Sequence, residues 1–308
     1  MQSSKHLHLG GQTLVKLAED MLGRAEGDRI ESVSGYSRRL SVAVGTVQKA
    51  LKELEDLRAV VLQGKGHMGS FVKNINYDRL YSICGISTII FSLPLPYTKR
   101  LEAVATGFFK HFHTSYGSVS FELSYMRGSR QRVNSLMNNR SDGAVISRLA
   151  ADILIKEGFP IEIVAGLGPG SYLSSHGLIF SGNDCASVKS LGVDPMSLDQ
   201  TVMTERFLRE SGLYINLVEI PYSQIIENIK TGVVDGTIWN RDYVVERIGE
   251  LNFRELSSPG ADEASTEAVL VINSDNLPVR HFIKRNMDIE KVTAAREGVI
   301  KGTLLPEY

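Results

Sequence analysis

The histidines and cysteines of this sequence, the residues most typical of catalytic and metal sites, are scattered rather than clustered. The seven histidines form no close cluster with carboxylates, and Cys84 and Cys185 lie far apart at no metal-ligand spacing. "GPGS" (168–171) lacks the lysine and the spacing of a phosphate-loop NTPase, and no Gly-x-Ser-x-Gly elbow occurs. We therefore expect that the protein is not an enzyme and has neither a cofactor nor a metal site, although fold alone does not fix function.

Polar residues that could contact a ligand follow several apolar extended runs, at turns that lead into helices. In α/β proteins such turns lie beyond the carboxyl ends of the strands, where ligands bind. The turns carry Pro96, Tyr97, Thr98, Gly128, Ser129, Arg130, Ser147, Arg148, Ser197, Asp199, Gln200, Tyr222, Ser223, Asn240 and Arg241. The predicted ligand-binding residues are Tyr97, Thr98, Ser129, Arg130, Ser147, Arg148, Ser171, Ser174, Ser197, Tyr222 and Asn240.

Several of these residues have a structural interpretation beside the functional one. The Ser129 hydroxyl either caps a helix or contacts a ligand at the helix terminus. Arg130 and Arg148 near helix N-termini suit a carboxylate or phosphate, and each could equally be a surface arginine. Trp239 could stack on a ligand, but a tryptophan within an apolar strand more often belongs to the core. The glycine- and serine-rich stretch 166–177 is a hinge, a cleft wall or a loop.

The N-terminal residues predict three helices. "GQTLVKLAEDMLGRA" (11–25) and "VSGYSRRLSV" (33–42) form the first two, and residues 44–54 form the third. In the third helix one face is apolar, and the opposite face carries Gly45, Lys49 and Lys52. One face of this helix is therefore expected to pack, and the other to face outward.

Two β-prone runs follow the third helix. "AVVLQ" and "SFV" flank the glycine turn Gly64-Lys65-Gly66, which predicts a hairpin with Lys65 at its tip. Three helices and a hairpin are typical of a winged helix-turn-helix, whose third helix enters the major groove of DNA. The predicted DNA-binding residues are Gly45, Thr46, Gln48, Lys49 and Lys65.

The first 72 residues resemble the GntR-type DNA-binding domain, through "GDRIESVSGYSRRLSV" (27–42), "TVQKALKELE" (46–55) and "GKGHMGSFV" (64–72). The resemblance implies arginines at two phosphate-contacting positions, where this sequence has Ser34 and Val44. Residues 1–72 contain ten basic and eight acidic side chains, a net charge of +2. Since phosphate contacts supply much of the affinity for DNA, we expect modest binding by one copy and a homodimer that binds with avidity.

Two segments of the remaining chain can be aligned with each other. Residues 118–147 and 213–240 each read as strand, turn, helix and strand, with Asp142-Gly143 and Asp235-Gly236 before the second strand. Alternating strands and helices predict mostly parallel sheets, here in two similar lobes with a cleft between them. This arrangement resembles the type 2 periplasmic-binding-protein fold, which is also the effector domain of LysR-type regulators. Together with the GntR-like head, the chain resembles the YhfZ-like family.

The predicted fold class is α/β: a winged helix-turn-helix over residues 1–74, and a two-lobed periplasmic-binding-protein-like domain over residues 75–308. The first lobe is expected at about 80–160 and 267–308, the second at about 161–266, and the C-terminal helices on the first lobe. No apolar segment is long enough to span a bilayer and no signal segment opens the chain, which predicts a cytoplasmic protein without membrane partners.

These features predict a DNA-binding transcriptional regulator. Its partners would be a DNA operator and a small, anionic metabolite that acts as effector. Two alternatives stay open at this stage: a ligand-binding protein whose winged helix no longer reads DNA, and an enzyme that uses the cleft.

Overall fold

The computed structural model describes residues 8–113, 119–182, 184–247, 251–256 and 261–308. Within these ranges the chain divides into two compact units. The first contains the N-terminal helices and hairpin with two further helices, and the second contains most of two five-stranded sheets. Among the described residues, none of the helices is long and apolar enough to cross a membrane.

The first unit begins with the predicted winged helix-turn-helix. Its elements are α1 (Leu9–Leu22), α2 (Val33–Leu40), α3 (Val44–Asp56), β1 (Val60–Gly64) and β2 (Ser70–Ile75). The two strands pair antiparallel, with a short 3-10 turn over Gly66–Met68 at the tip. On α3 the predicted apolar face is buried at Val47, Ala50, Leu51 and Leu54, whereas Val44 is exposed.

Local hydrogen bonds explain why α2 begins at Val33 and why it is held against α1. The side chain of Ser32 accepts the N–H of Gly35 and so caps the helix. The Tyr36 hydroxyl donates to Asp20 of α1 at 2.7 Å, and Arg39 forms ion pairs with Asp20 and Glu31. These side chains hold α2 against α1.

Two more helices pack on α1 within this unit, α4 (Tyr77–Ile83) and α12 (Leu277–Asn286). The ring of Tyr81 meets Phe282 edge-on, with 5.1 Å between the ring centroids, and the guanidinium of Arg285 lies 3.5 Å from the ring centroid of Tyr77. The sequence predicts both C-terminal helices on the first lobe. Helix α12 instead belongs to the unit of the winged helix.

The second unit contains a first sheet with strand order β4-β3-β5-β12-β6. Its strands are β3 (Thr88–Leu93), β4 (Ser120–Tyr125), β5 (Gly143–Ser147), β6 (Ile161–Gly166) and β12 (Ala268–Asn273). The helices associated with this lobe are α5 (Lys99–His113), α6 (Ser129–Met137), α7 (Arg148–Lys156) and α13 (Ile289–Lys301), and α13 packs along α5. Strand β6 still belongs to this sheet, so the predicted division at 160/161 falls just before it.

The second sheet has the strand order β11-β7-β10-β8-β9. Its strands are β7 (His176–Phe180), β8 (Ser190–Val193), β9 (Asn216–Glu219), β10 (Gly236–Asn240) and β11 (Asn252–Glu255). The helices are α8 (Leu198–Ser211), α9 (Tyr222–Lys230) and α10 (Arg241–Arg247), and α11 (Ala261–Thr266) precedes the return to β12. Written as β9-β8-β10-β7-β11, this order matches that of the first sheet, which confirms the two similar lobes.

The sheets differ from the prediction in one respect, since they are mixed rather than mostly parallel. Strand β12 runs antiparallel to β5 and β6, and β7 runs antiparallel to β10 and β11. Strand β7 is the first strand after the chain crosses from the first lobe to the second, and β12 is the first strand after it returns. They therefore run against the direction of their neighbours.

The repeated Asp-Gly pairs have a structural role. The carboxylate of Asp142 accepts the N–H of Ile90 on β3, and that of Asp235 accepts the N–H of Ser190 on β8, each at 2.9 Å. A Cβ atom on Gly143 would lie 2.8 Å from the Phe91 ring, so glycine is required there. The motif thus pins a strand to its neighbour at the same point of both lobes.

Candidate functional site

A cleft of about 100 Å³ lies between the two lobes of the second unit. The first lobe and the crossover segment contribute Pro94, Leu95, Tyr97, Arg127, Gly128, Ser129, Arg132, Tyr172 and Leu173. The second lobe contributes His176, Asp194, Met196, Ser197, Leu198, Asp199, Gln200, Tyr222, Ile238, Trp239 and Asn240. Most of these residues follow β3, β4, β8 or β10 or begin the helix after it, as the fold predicts.

The lobes approach closely at Gly128, directly before α6. A Cβ atom there would lie 2.9 Å from the carbonyl oxygen of Met196, and the backbone has a φ of +75° that favours glycine. The first turns of α6 and α8 therefore face each other across the cleft.

Arg132 on α6 is the buried cation of the cleft, with 2% of its surface exposed. Its guanidinium donates to the carbonyl oxygens of Val145 at 2.9 Å and Met126 at 2.7 Å, and to the hydroxyl of Tyr172 at 3.0 Å. All three acceptors are neutral, so they orient the guanidinium without cancelling its charge. Because a guanidinium has five N–H donors, two remain for another partner.

Asp199, in the first turn of α8, is the carboxylate that faces Arg132's side of the cleft. Its Oδ1 accepts the hydroxyl of Ser147 at 2.5 Å. Burial raises the pKa of the Asp199 carboxyl to about 6, against the opposing effects of this hydrogen bond and of the Arg132 charge. Within the described residues no ion pair joins Asp199 to Arg132 or to any other cation.

A second pair of opposite charges in the cleft is already neutralised. Arg127 forms an ion pair across the cleft with Asp194, which is almost fully buried. Asp194 also accepts the N–H groups of Met196 at 2.9 Å and Tyr222 at 3.0 Å. These contacts join the end of β4 to β8 and α9, so Asp194 has the role of a structural anchor.

Aromatic rings form one wall of the cleft. Tyr222 stacks on Trp239 with 3.9 Å between ring centroids, and the Tyr222 hydroxyl donates to that of Tyr97 at 2.8 Å. Burial raises the pKa of Tyr222 well above its ordinary value, so the ring stays neutral. His176 is also neutral near pH 7, because burial lowers its pKa to about 4.

Two buried polar atoms at the cleft have no hydrogen-bond partner among the described residues, Ser129 Oγ and Trp239 Nε1. The two residues are 4% and 3% exposed, so water cannot satisfy these groups freely. Because an unpaired buried donor costs free energy, such atoms mark positions where a ligand can supply an acceptor.

The winged helix carries the second candidate surface. Gly45, Gln48 and Lys49 are exposed on α3, and Thr46 is half-buried. Lys65 is exposed near the tip of the hairpin, with its Nζ 4.5 Å from the ring centroid of Phe71. Neither lysine has an ion-pair partner in the part of the chain that the structure describes.

Residues 76–308 match the family profile described as "YhfZ C-terminal domain", and residues 25–72 match one described as "Helix-turn-helix domain". The first match spans most of the chain. This chain belongs to the YhfZ family. The YhfZ protein of Escherichia coli (strain K12) is 31% identical over 304 residues, which are 97% of either chain.

Solved structures agree with this assignment. The crystal structure of YhfZ from Shigella flexneri is 30% identical to this YhfZ-family chain with a TM-score of 0.63, and the match covers 75% of this chain and 98% of the other. The periplasmic aliphatic sulphonate binding protein SsuA from Escherichia coli is similar in fold, with a TM-score of 0.53, 13% identity, and coverage of 70% and 75% respectively. The C-terminal domain of this YhfZ-family protein therefore has the two-lobed periplasmic-binding-protein fold.

Five of the predicted ligand residues line the cleft of this YhfZ-family chain: Tyr97, Ser129, Ser197, Tyr222 and Asn240. Ser129 begins α6 without capping it, since its hydroxyl bonds to none of the described residues. Asn240 caps α10 by accepting the N–H of Tyr243 at 2.8 Å, and Ser147 caps α7 at the equivalent corner of the first lobe.

The other predicted ligand residues lie outside the lining. Thr98 accepts the N–H of Leu101 at the start of α5, and Ser171 closes the crossover loop through Gly168 and Ala268. The backbone N–H of Ser174 donates to Asp242, while its hydroxyl has no hydrogen-bond partner among the described residues. These three residues hold the ends of elements.

The structure contradicts the prediction that Arg130 and Arg148 face a ligand, because neither lines the cleft and both form ion pairs. Arg130 pairs with Glu157, and Arg148 pairs with Glu267 through two of its nitrogens. A guanidinium held by a carboxylate has little charge left for an anion. Arg132, whose guanidinium donates only to neutral acceptors, has the available positive charge that was expected of Arg130 and Arg148.

Sequence reasoning overlooked Arg127, Arg132, Tyr172, His176 and Asp194 as cleft residues and did not select Asp199, although it lay in a candidate turn. A signal existed for Arg132. It lies three residues after Ser129 in "GSRQR", so both lie on one face of α6. Tyr172 and His176 lie in the stretch 166–177, for which a cleft wall was one of three interpretations, but only Ser171 and Ser174 were selected from it.

Proposed function

We propose that this protein is a DNA-binding transcriptional regulator whose two-lobed domain binds a small-molecule effector. The observation that carries the proposal is the presence in one chain of a winged helix with an exposed polar recognition face and a cleft with unsatisfied buried donors. A helix-turn-helix joined to a binding-protein fold indicates a regulator rather than an enzyme.

The proposed DNA surface consists of Gly45, Thr46, Gln48, Lys49 and Lys65. The N-terminal turn of a recognition helix reads base edges in the major groove, and the hairpin contacts the backbone or minor groove. The GntR-type character of the head is part of this proposal. The small net charge favours a homodimer whose heads bind half-sites roughly 34–36 Å apart, or at a multiple of that spacing.

The proposed effector site is the cleft, with Arg132, Asp199, Ser129 and Trp239 as the main contacts. A molecule that contacts both lobes stabilises the arrangement in which they are close, to the extent that it prefers that arrangement. Helix α12 offers a covalent route by which a change in the arrangement of the lobes could reach the winged helix. It follows β12 of the first sheet directly and packs on α1 of the winged helix.

The test uses the purified full-length protein and fragmented genomic DNA of the organism that encodes it. Bound fragments are sequenced and compared with those recovered by a variant that carries Lys49→Glu and Lys65→Glu. Enrichment of the same fragments by the wild type alone supports the proposal. Equal recovery by both proteins contradicts it, and the winged helix would then have another partner.

A further inference from the structure

Two side chains of opposite charge line the cleft, and neither forms an ion pair with a described residue. Arg132 lies on α6 of the first lobe, and Asp199 lies on α8 of the second. We infer that the cleft binds a small zwitterion with one carboxylate and one ammonium group, in the manner of an amino acid with a short side chain. This inference rests on the proposed function, because it names the chemical class of the effector.

Arg132 provides the site for the carboxylate. Its position is fixed by three neutral acceptors, Val145, Met126 and Tyr172, and two of its N–H donors remain available. Such a guanidinium is pre-oriented, so little conformational entropy is lost when it binds a planar carboxylate. Ser129 Oγ adds an unpartnered donor at the start of the same helix.

Asp199 provides the site for the ammonium group. Only one hydrogen bond to its carboxylate comes from the described residues, the one from Ser147, so further acceptor positions are available. The burial that raises the pKa of Asp199 also means that a cation nearby would strongly favour its charged form. An ammonium group offers three donors and a full positive charge.

The remaining charges of the cleft do not alter this balance. Arg127 and Asp194 neutralise each other in their ion pair, and burial keeps His176 neutral. A simple anion would leave the Asp199 carboxylate buried beside it, and a simple cation would leave Arg132 unpaired. Because uncompensated buried charge is costly, only a ligand with both charges satisfies both lobes.

The size of the cleft limits the ligand further. A volume of about 100 Å³ suits a molecule of a few non-hydrogen atoms and is too small for a nucleotide or a sugar phosphate. The stacked rings of Tyr222 and Trp239 form an apolar wall beside the charged groups. That wall suits a short aliphatic side chain, and the unpartnered Trp239 Nε1 can donate to a second carboxylate oxygen.

The experiment follows binding to the full-length protein through the fluorescence of Trp239, the single tryptophan of the chain, and by calorimetry. The probes are the common amino acids, β-alanine, and matched compounds that lack one charged group, such as propionate and ethylamine for alanine. We expect at least one amino acid to bind, and its two single-charge relatives to bind about ten- to a hundredfold more weakly.

Two variants sharpen the test. Asp199→Asn keeps the shape and a hydrogen-bond acceptor but removes the charge, so it should bind the amino acid at least about tenfold more weakly while its preference over the matched carboxylate shrinks. Ser129→Ala should weaken binding without lowering the melting temperature, because none of the described residues bonds to its hydroxyl. Ser223→Ala, at the equivalent position of the second lobe but outside the cleft lining, is the matched control.

Three results would overturn the inference. These are equal binding of the amino acid and its matched carboxylate, unchanged affinity in Asp199→Asn, or no binding of any amino acid at about 10 mM, well above useful effector affinities. Each of them leaves a regulator with a different effector possible. Failure of the regulator proposal itself would appear separately, in the recovery of genomic DNA.

Discussion

The hydroxyl of Ser147 donates a hydrogen bond to the carboxylate of Asp199 at 2.5 Å, and this bond connects β5 of the first lobe to α8 of the second. The same hydroxyl accepts the N–H of Ala150 at 3.0 Å and thereby caps α7. One small side chain thus positions a helix in its own lobe and a titratable group in the other. The protonation state of Asp199 is consequently linked to how the two lobes meet.

The first prediction concerns the pH dependence of stability. Because burial raises the pKa of Asp199 to about 6, the folded protein retains a proton there that the unfolded chain has already released. The contribution of the protonated Asp199 to stability is complete below the pKa that this carboxyl has in the unfolded chain, and it is lost as the pH rises through about 6. Relative to Asp199→Asn, the free energy of unfolding of the wild type should therefore fall between about pH 4 and about pH 7. Urea denaturation of both proteins at each pH measures it, and a pH-independent difference would contradict the assignment.

The second prediction concerns the winged helix. Lys49→Glu combined with Lys65→Glu should abolish operator binding, because both side chains are exposed and each change places a negative charge near the phosphates. The melting temperature should stay the same. A gel shift with a fragment recovered from genomic DNA measures the effect. Lys156→Glu combined with Lys301→Glu, two exposed lysines of the two-lobed domain, makes the same change in net charge and should bind as the wild type does.

The third prediction separates the two members of the Arg127–Asp194 pair. The Asp194 side chain is 4% exposed and also accepts two backbone N–H groups, whereas that of Arg127 is 43% exposed. Asp194→Ala should lower the free energy of unfolding by about 3 kcal/mol, since it leaves buried donors unpaired. Arg127→Ala should cost less, about 1 kcal/mol, because the Arg127 side of the pair is open to water and Asp194 keeps its two backbone N–H donors. Chemical denaturation of both variants measures the two losses in the free energy of unfolding. Equal losses would show that Asp194 has no anchoring role.

The fourth prediction concerns the arginines that the sequence placed at the ligand. Arg148→Ala should leave the affinity for the effector unchanged and should lower the free energy of unfolding by roughly 1 kcal/mol, because it removes the partner of the largely buried Glu267. Arg130→Ala, whose ion pair with Glu157 is exposed on both sides, should change neither quantity measurably. Calorimetric titration and thermal melting of the two variants measure both effects. A tenfold loss of affinity in Arg148→Ala would restore the original interpretation.

Sequence patterns predicted the winged helix and the two lobes, but neither the antiparallel strands β7 and β12 nor the place of α12 in the first unit. The apolar spacing in residues 44–54 and the glycine turn at Gly64–Gly66 predicted the winged helix, because these signals depend only on neighbours a few residues away. The two Asp-Gly pairs revealed the two lobes, since each lobe needs the same bond between adjacent strands at the same point.

The sequence by itself therefore determined the elements, their order and the turns where a site could lie. Tertiary structure decided which side chains of those turns are free to bind a ligand. Arg148 and its partner Glu267 are 119 residues apart in the chain, and Ser147 and Asp199 are 52 apart. No local pattern encodes such pairings, because a charged side chain takes whichever partner the packing of distant strands and helices brings within reach. Arg132 keeps its charge available in the cleft only because that packing surrounds it with neutral acceptors.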